Sequence, residues 1–349
     1  MDCLCVAMSG ASEGLFSGFF GGGMVRQANR GSSLLLFATA FAVAGCYTGP
    51  SVNGTFSRTY TVSGPVRLEL SNASGEVDIT AGAAGTVSIH AEVRSSGLGF
   101  ENPQKRLDDI VSDPPVEQRG DTIRVGKDLS RMRNVSISYK IQVPHDTEVD
   151  ANVASGSEDI RDLRGPVKVR SASGSIKVEK IDRDAQLSTA SGTISAENIG
   201  GDVQVSSASG NVTITNIKGD ARVHVVSGVI RISQPGGRVD GSTTSGEVEI
   251  QGAGNDVTAQ SVSGRVYVQG NPGEQGYWNL RTASGGVQIS IPPSANFHLS
   301  AEAVSGQIRT DVPIVVEEQG KHSLRARLGS GGGRVEVRTV SGEIRVSGT

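Results

Sequence analysis

The stretch Ser171-Ala-Ser-Gly-Ser-Ile-Lys-Val-Glu-Lys-Ile-Asp-Arg-Asp-Ala-Gln-Leu-Ser188 contains one full unit of a repeat. Its Ser-Gly pair recurs every 18 residues along the middle of the chain. A fixed period of this length is typical of a solenoid, in which each repeat buries its apolar side chains only by stacking on its neighbours. The serines of these pairs are Ser155, Ser173, Ser191, Ser209, Ser227, Ser245 and Ser263.

Apolar residues occupy fixed places in the repeat. Counted from the Ser-Gly serine as offset 0, they recur at offsets 3, 5, 8, 12, 14 and 17. Side chains alternate sides along a strand, so offsets 3 and 5 predict one inward-facing strand and offsets 12 and 14 a second. Glycines at offset 1, and in several coils at offset 10, predict the two turns. The sequence therefore predicts an all-β fold, a parallel β-solenoid whose coils stack about 4.8 Å apart.

The later repeats keep this register with local additions. Two intervals of 21 residues place three extra residues in 272–276 and 293–296, which we interpret as widened turns. The interval of 36 residues from Ser305 to Ser341 predicts an insertion over residues 311–331, a hairpin with its turn near Gly320. Right-handed winding is the default for parallel crossovers, but coils of this length also occur in left-handed helices, so both hands stay open.

The N-terminal residues resemble an export signal. We interpret 1–45 as a leader and lipoprotein signal peptide whose true start is Met24, with Arg26 and Arg30 before the apolar run. That run is about a dozen residues, whereas a membrane-spanning helix, the alternative interpretation, needs about 20. Val43-Ala-Gly-Cys46 resembles the lipobox of bacterial lipoproteins, which implies that Cys46 carries a lipid anchor. Tyr47 in place of Asp then implies sorting to the outer membrane.

Between the anchor and the repeats the pattern is irregular. Residues 46–53 predict a tether, and 54–150 predict a β-rich cap that covers the first coil of the solenoid at 151–349. Alternating residues at 66–70 and 135–143 predict strands within the cap. Asn102-Pro103 predicts the start of a short helical insertion that ends before Asp113.

Composition narrows the classes of partner. The net charge is -3 and aromatic residues make up 4%, with no basic stripe, so no nucleic-acid partner is predicted. Cysteines occur only at Cys3, Cys5 and Cys46, which leaves the repeats without a disulfide or thiolate metal site. No cofactor is predicted.

A row of aspartates is the candidate for cation binding. Asp184, Asp202 and Asp220 share offset 11 in successive coils, and Asp256 follows two coils later. Hard cations such as Ca²⁺ want several oxygen ligands, and a carboxylate ladder would supply them. The alternative, which we favour, is that each carboxylate accepts hydrogen bonds from backbone N–H groups in its turn. We therefore predict no metal site.

Other reactive residue types form no recurrent group. The repeated serines lie near no recurrent histidine, which argues against a hydrolase. Tyr277-Trp278 would suit sugar stacking, but the register turns Trp278 inward, so we predict core packing. The scattered histidines, predicted to be surface residues, are His90, His145, His224, His298 and His322.

The repeat units resemble a known family. The Ser-Ala-Ser-Gly-x-Ile-x-Val units at 171–178 and 207–214, the second with Val212, are similar to those of the bacterial putative-adhesin family of β-strand repeats, a domain of unknown function. The resemblance covers roughly residues 60 to 349. It implies an exported or envelope-associated β-solenoid with a role in adhesion, and it carries over no catalytic residue.

These observations predict a non-enzymatic, envelope-anchored binding or structural module, held on a membrane by its lipid and facing an envelope glycan or protein ligand. The alternative is a polysaccharide-active β-helix enzyme. A hexapeptide-repeat acyltransferase is not favoured, because it would need small and aliphatic residues every six positions, and this repeat does not have them. The last strand, Ser341 to Thr349, predicts an open edge for self-association through the C-terminal coil, unless the 311–331 insertion shields it.

Overall fold

The computed structural model describes residues 51–97, 102–126 and 134–349. The predicted signal peptide and lipidated Cys46 lie outside these ranges, as does the tether up to residue 50. Residues Tyr47–Thr349 form one compact unit. All the strands of the described part are joined by hydrogen bonds into one system of 27 strands. They wind as a parallel β-solenoid, which confirms the predicted fold.

The N-terminal part is mostly strand with one helix. Asn102 caps that helix, because its side-chain oxygen accepts hydrogen bonds from the backbone N–H groups of Gln104 (3.0 Å) and Lys105 (3.2 Å), and Pro103 occupies the first helical position. The helix lies where the sequence predicts it. The elements are β1 (Ser51–Thr61), β2 (Arg67–Asn72), β3 (Val77–Ala81), β4 (Thr86–Ser96), α1 (Pro103–Ser112), β5 (Val116–Arg119), β6 (Thr122–Val125) and β7 (Val135–Val143).

The parallel stack begins inside the segment assigned to the cap. Strand β2 pairs in parallel with the first long strand of the repeats, with Leu68 opposite Val149, and β3 pairs with the same strand, with Val77 opposite Glu158. Among the other cap strands, β4 pairs antiparallel with both β1 and β7, and β5 pairs antiparallel with β6. The last tether residues, 51–53, belong to β1, because they pair with β4.

The regular coils follow the predicted register. Each strand pairs with the equivalent strand 18 residues later, as with Val212 opposite Ile230 and Val203 opposite Ala221. Residues at offsets 3, 5 and 8 are buried on one face of the coil, and residues at offsets 12, 14 and 16 are buried on the other. The strands are β8 (Glu148–Leu163), β9 (Val167–Ile181), β10 (Ala185–Ser191), β11 (Ile194–Ile199), β12 (Val203–Ser209), β13 (Val212–Ile217), β14 (Ala221–Ser227), β15 (Ile230–Pro235), β16 (Val239–Ser245), β17 (Val248–Ala253), β18 (Val257–Ser263) and β19 (Val266–Gly270).

A third bend at offset 7 explains why offset 8 is buried. A strand with strict alternation would turn offset 8 outward. Asn198 and Asn216, at offset 7, instead adopt left-handed backbone conformations with φ of 57° and 54°. Asparagine tolerates this region better than most residues. The following Ile199 and Ile217 therefore return to the core.

The corner at offsets 16 to 1 sets the direction of offset 17, which the repeat pattern did not predict. Offset 17 is apolar but lies outside the core: Val226 is 47% exposed, whereas its neighbour Val225 is fully buried. In several other coils offset 16 carries a buried serine or threonine. The Thr282 Oγ1 donates to the carbonyl oxygen of Gly264 at 3.2 Å, whereas the hydroxyls of Ser207 and Thr243 have no hydrogen-bond partner among the described residues.

The glycine after each serine is required by close approach between coils. Gly192 and Gly210 have φ of 137° and 136°. A Cβ on Gly210 would overlap the backbone carbonyl oxygen of Gly192, one coil earlier. The glycine of each Ser-Gly pair therefore recurs because the backbones of neighbouring coils approach too closely there for any side chain.

The C-terminal coil lies inside the stack, not at its end. Strand β26 pairs on one side with β20 and on the other with β22, and β27 pairs with β21 and β23. The predicted open edge on the last strand is therefore wrong. The strands are β20 (Tyr277–Ser284), β21 (Val287–Ile291), β22 (Phe297–Ser305), β23 (Ile308–Thr310), β24 (Val315–Gln319), β25 (Ser323–Leu328), β26 (Gly333–Ser341) and β27 (Ile344–Gly348).

The widened turn before β22 accounts for this arrangement. Strand β22 lies two layers beyond β20, so the connection over 292–296 must climb about 10 Å instead of about 5 Å. Three extra residues supply the length. The chain then returns and places β26 and β27 in the layer that was passed over.

The predicted hairpin within 311–331 closes this end. Strands β24 and β25 pair antiparallel, and the backbone N–H of Gly320 donates to the carbonyl oxygen of Ser323 at 2.9 Å. Strand β25 pairs antiparallel with β22. Its inward side chains Leu324, Ala326 and Leu328 are buried against the last layer. The insertion therefore shields the end of the stack.

Candidate functional site

The aspartates at offset 11 hold adjacent coils together. The Oδ1 of Asp184 accepts a hydrogen bond from the backbone N–H of Asp202 at 2.9 Å, and Asp202 does the same for Asp220 at 2.8 Å. Asp220 and Asp256 repeat the contact with the backbone N–H groups of Arg238 (2.8 Å) and Tyr277 (2.9 Å). The partner lies in the next coil, not in the same turn. Along one edge of the stack, each of these carboxylates therefore joins its own coil to the backbone of the next; we call this contact an aspartate staple.

Near this edge the turns widen into an open groove of about 650 Å³. The extended turn 272–276 lines this groove, with Glu274 and Gln275 exposed. Lower turns contribute Arg238, Asn255 and Asp256, and the Arg238 Nε lies 3.6 Å from the Asp256 Oδ2. The lining thus combines amide, carboxylate and guanidinium groups.

The two aromatic residues beside the groove have separate roles. Trp278 is fully buried, which agrees with its predicted core position, and its Nε1 donates to the carbonyl oxygen of Asn255 at 2.8 Å. Tyr277 is 37% exposed, and its hydroxyl donates to the Glu336 Oε2 at 2.9 Å. Only Tyr277 can therefore present a ring to solvent at this place.

A row of exposed apolar side chains runs along the corner at offset 17. In the early coils the residue is alanine, at Ala172, Ala190 and Ala208, and all three are exposed. Larger side chains appear toward the C-terminal end, where Val262 is 54% and Val304 71% exposed. At that end Val304 lines a groove of about 350 Å³.

One carboxyl group lies inside the core. Glu158 takes offset 3 in the first coil, where the aligned residues are Val77 below and Ile176 above. It is 1% exposed; its Oε1 accepts a hydrogen bond from the Ser171 Oγ at 3.2 Å, and its Oε2 has no hydrogen-bond partner among the described residues. Burial raises the pKa of Glu158 to about 7, although the bond from Ser171 works against this shift. The sequence signal was a polar residue at an offset otherwise occupied by aliphatic ones, and our sequence interpretation missed it.

The histidines stay apart. His224 Nδ1 lies 3.0 Å from the Ser242 Oγ, and His90 Nδ1 lies 3.0 Å from the Ser57 Oγ, both at the surface. Within residues 51–97, 102–126 and 134–349, no three His, Cys, Asp or Glu side chains lie close enough together to hold a metal ion. In the same ranges no helix is long and apolar enough to cross a membrane.

Comparisons with known proteins agree with the repeat pattern. The sequence matches the Toastrack DUF4097 family over residues 66–347. Among solved structures it is similar to a putative adhesin from Bacteroides fragilis, with 12% identity and a TM-score of 0.29, covering 84% of this chain and 97% of that one. It is also similar to a putative cell adhesion protein from Clostridium sporogenes, with 10% identity and a TM-score of 0.20, covering 85% of this chain and 100% of that one. No curated protein matches the chain.

The two solved structures are too distant to add to the fold described above. The family match is of a different kind, because it covers the parallel stack from the start of β2 to within two residues of the C-terminus. It confirms the resemblance predicted from the Ser-Gly units. The chain belongs to the Toastrack DUF4097 family.

Proposed function

We propose that this protein is a non-enzymatic binding module, held by a lipid on Cys46 at the outer membrane of a bacterial envelope. The observation that supports it most directly is the use made of the recurrent polar residues. The offset-11 carboxylates accept hydrogen bonds from backbone N–H groups of the next coil, so these acidic residues stabilise the stacking of coils. A partner can therefore contact mainly the other groups on the outer surface of each coil.

The groove beside the 272–276 turn is the place where we expect a ligand. Sugar hydroxyls both donate and accept hydrogen bonds, and the amides of Asn255 and Gln275 can do the same. Arg238 adds a donor, and the Asp256 Oδ2 adds an acceptor 3.6 Å from its Nε, because the bond from the Tyr277 N–H uses only the Oδ1 of that carboxylate. An envelope glycan is therefore the ligand class that fits this lining best.

Binding to isolated envelope glycans tests the proposal. The full chain should retain peptidoglycan or outer-membrane polysaccharide, and a Glu274→Ala/Gln275→Ala variant should lose about tenfold in affinity. A matched control, Gln186→Ala/Gln204→Ala, changes exposed residues of regular coils and should bind as the unaltered protein does. Equal binding by all three proteins would place the ligand elsewhere. Release of reducing ends from the glycan would contradict a non-enzymatic role.

The lipid anchor has its own test. Replacing Cys46 by Ser should release the protein from membranes or leave an unprocessed precursor, because the thioether cannot form. Metabolic labelling with a palmitate analogue measures this directly. Unchanged labelling of the Cys46→Ser protein would end the lipoprotein proposal.

A further inference from the structure

The ends of the stack leave four strands paired on one side only within the described ranges, namely β1, β5, β23 and β24. Unpaired strand edges invite association, and proteins protect them with shortness, charge or bulges. Three of these edges carry such protection. Strand β23 has three residues, and β5 has four, with the Arg119 Nε 2.7 Å from the Glu117 Oε1. Strand β24 has five, with a bulge and two glutamates, Glu317 and Glu318.

Strand β1 has the least protection of the four. Its single charge, Arg58, donates from its Nη1 to the outward carbonyl oxygen of Ser57 at 2.9 Å, an exposed bond that pairing with another strand would replace. The strand runs for 11 residues and pairs with β4 along its whole length without a register shift. Its side chains at odd positions, from Ser51 to Thr61, are exposed. It is the longest of the four edges by a factor of about two.

The hydrogen bonds of the neighbouring strands show which backbone groups face this edge. The N–H groups of Ile137 and Tyr139 donate to carbonyl oxygens of residues 74 and 76, so odd residues of β7 face β3 and even ones face β4. The register of β7 with β4, and of β4 with β1, then turns the even residues of β1 toward β4. Odd residues therefore present N–H and C=O groups outward. The Thr61 carbonyl, which accepts from the Gln118 Nε2 at 2.8 Å, agrees with this parity.

We propose that β1 pairs antiparallel with β1 of a second copy of this chain, around a two-fold axis at Phe56. This register places Asn53 opposite Thr59 and Thr55 opposite Ser57, so outward-facing residues meet outward-facing residues along the strand. Arg58 then lies opposite Gly54, and no like charges oppose each other. The strand is self-complementary in this register, as a two-fold interface requires.

The second copy is favoured over another partner because both copies would share one membrane. Cys46 precedes Ser51 by five residues, a reach of at most about 17 Å. Anchored copies are confined to a layer next to the bilayer, which raises their effective concentration for each other. This step alone depends on the proposed lipid anchor, and the Cys46→Ser labelling experiment tests that anchor separately.

Cysteine cross-linking of the full chain in an oxidising periplasm tests the register. An Asn53→Cys/Thr59→Cys variant should give a disulfide-linked dimer, because directly opposed residues of a hydrogen-bonded antiparallel pair lie about 5.5 Å apart, within disulfide range. Each single variant should stay monomeric on a non-reducing gel, since the new cysteine of one copy lies far from the same cysteine of the second copy. No dimer from a folded, exported double variant would overturn the proposal. So would equal dimer from the single variants, or an adduct with a different protein.

A backbone variant separates pairing from folding. Thr55→Pro removes an outward N–H and leaves the ladder to β4 intact, so the melting temperature should hold while the dimer is lost. Sedimentation equilibrium of the purified full chain should show at least a tenfold weaker dimer for Thr55→Pro, and no change for the matched Thr55→Ala. An unchanged dimer in Thr55→Pro would overturn the role of β1.

Discussion

The regular coils and the two ends of the stack satisfy their backbones in different ways. In the coils, strands such as β12 and β13 find partners 18 residues away on both sides. At the two ends of the stack, as far as the described residues show, antiparallel strands take the place of a further coil: β4 and β1 at the N-terminal end, β25 and β24 at the other. The repeated sequence therefore specifies growth of the stack, and the irregular segments specify where it stops.

The cores of these regions differ in the same way. The largest fully buried side chains, Trp278, Tyr139 and Phe297, all lie outside the regular coils. Phe56 packs edge-on against Tyr139 with ring centroids 6.4 Å apart. Between two faces built from a few residues per coil, valine and isoleucine ladders fill the space. Large rings fit only where the coil pattern is interrupted.

The largest effect should come from placing a charge inside a regular coil. Ile214→Asp should cost about 5 kcal/mol of the free energy of unfolding, comparable to the stability of a small domain, because a buried carboxylate finds no partner there. Thr213→Asp, one residue away and exposed, should change stability by less than about 0.5 kcal/mol. Thermal melting of both proteins checks this. Equal melting temperatures would contradict the register.

Alanine substitutions at two glycines, one in a coil and one in the cap, test how far contact between coils requires glycine. Gly210 and Gly120 both have positive φ, but a Cβ would overlap a backbone oxygen at Gly210 and would meet nothing within 4 Å at Gly120. Gly210→Ala should therefore cost about 3 kcal/mol or more, and Gly120→Ala about 1 kcal/mol. Urea midpoints of the two variants measure the difference. A similar loss at both sites would mean that φ alone, not coil contact, requires the glycine.

Glu158 lies where the cap strands meet the first coil, and it should make stability depend on pH. Its folded pKa of about 7 exceeds the unfolded value of 4.5, so between these values the folded chain holds a proton that the unfolded chain has released. The free energy of unfolding should fall by about 3 kcal/mol as pH rises from 4.5 to 7 and level off above. Glu158→Gln should remove most of this slope in urea titrations at several pH values. A slope that survives the substitution would assign it to other groups.

The smallest effect should come from an aspartate staple. Asp202→Ala should cost about 1 kcal/mol through the lost bond to the Asp220 N–H, whereas Asp202→Asn keeps an acceptor and should cost less than half of that. Calcium should leave the melting temperature of the unaltered protein unchanged. A calcium-dependent rise that Asp202→Asn abolishes would favour the cation interpretation instead.

Much of the coil could be predicted because each coil has the same environment as its neighbours. The 18-residue period, the inward offsets, the buried Trp278 and the hairpin turn at Gly320 all follow from alternation and turn chemistry. The direction of offset 17 was not predicted, because Val226 has an aliphatic side chain like the core residues while the corner turns it to solvent. The 18-residue periodicity shows which positions are apolar, but it does not show how the backbone bends at a corner and so which way a side chain points there.

The candidate groove and the chain ends were less accessible to sequence reasoning. The extra residues of 272–276 and 293–296 were both interpreted as widened turns, yet the first lines a groove and the second spans the layer that β26 and β27 occupy. Nothing local distinguishes them, since the difference depends on where β26 returns. Likewise the aspartate ladder could be found by its spacing, but its acceptor role depends on the N–H of the next coil.

The period, the two faces, the inward residues at offsets 3, 5, 12 and 14 and the glycine corner could be read from the repeat, because these depend on contacts between equivalent residues 18 positions apart. The order of the last layers, the burial of Glu158 and the open edge of β1 became visible in the folded chain alone. Those features depend on pairings between segments far apart in the chain, such as β20 with β26 and β1 with β4. Whether such a pairing forms depends on which other strand edges are free to pair with the same segment, and a local sequence pattern contains no information about those distant edges.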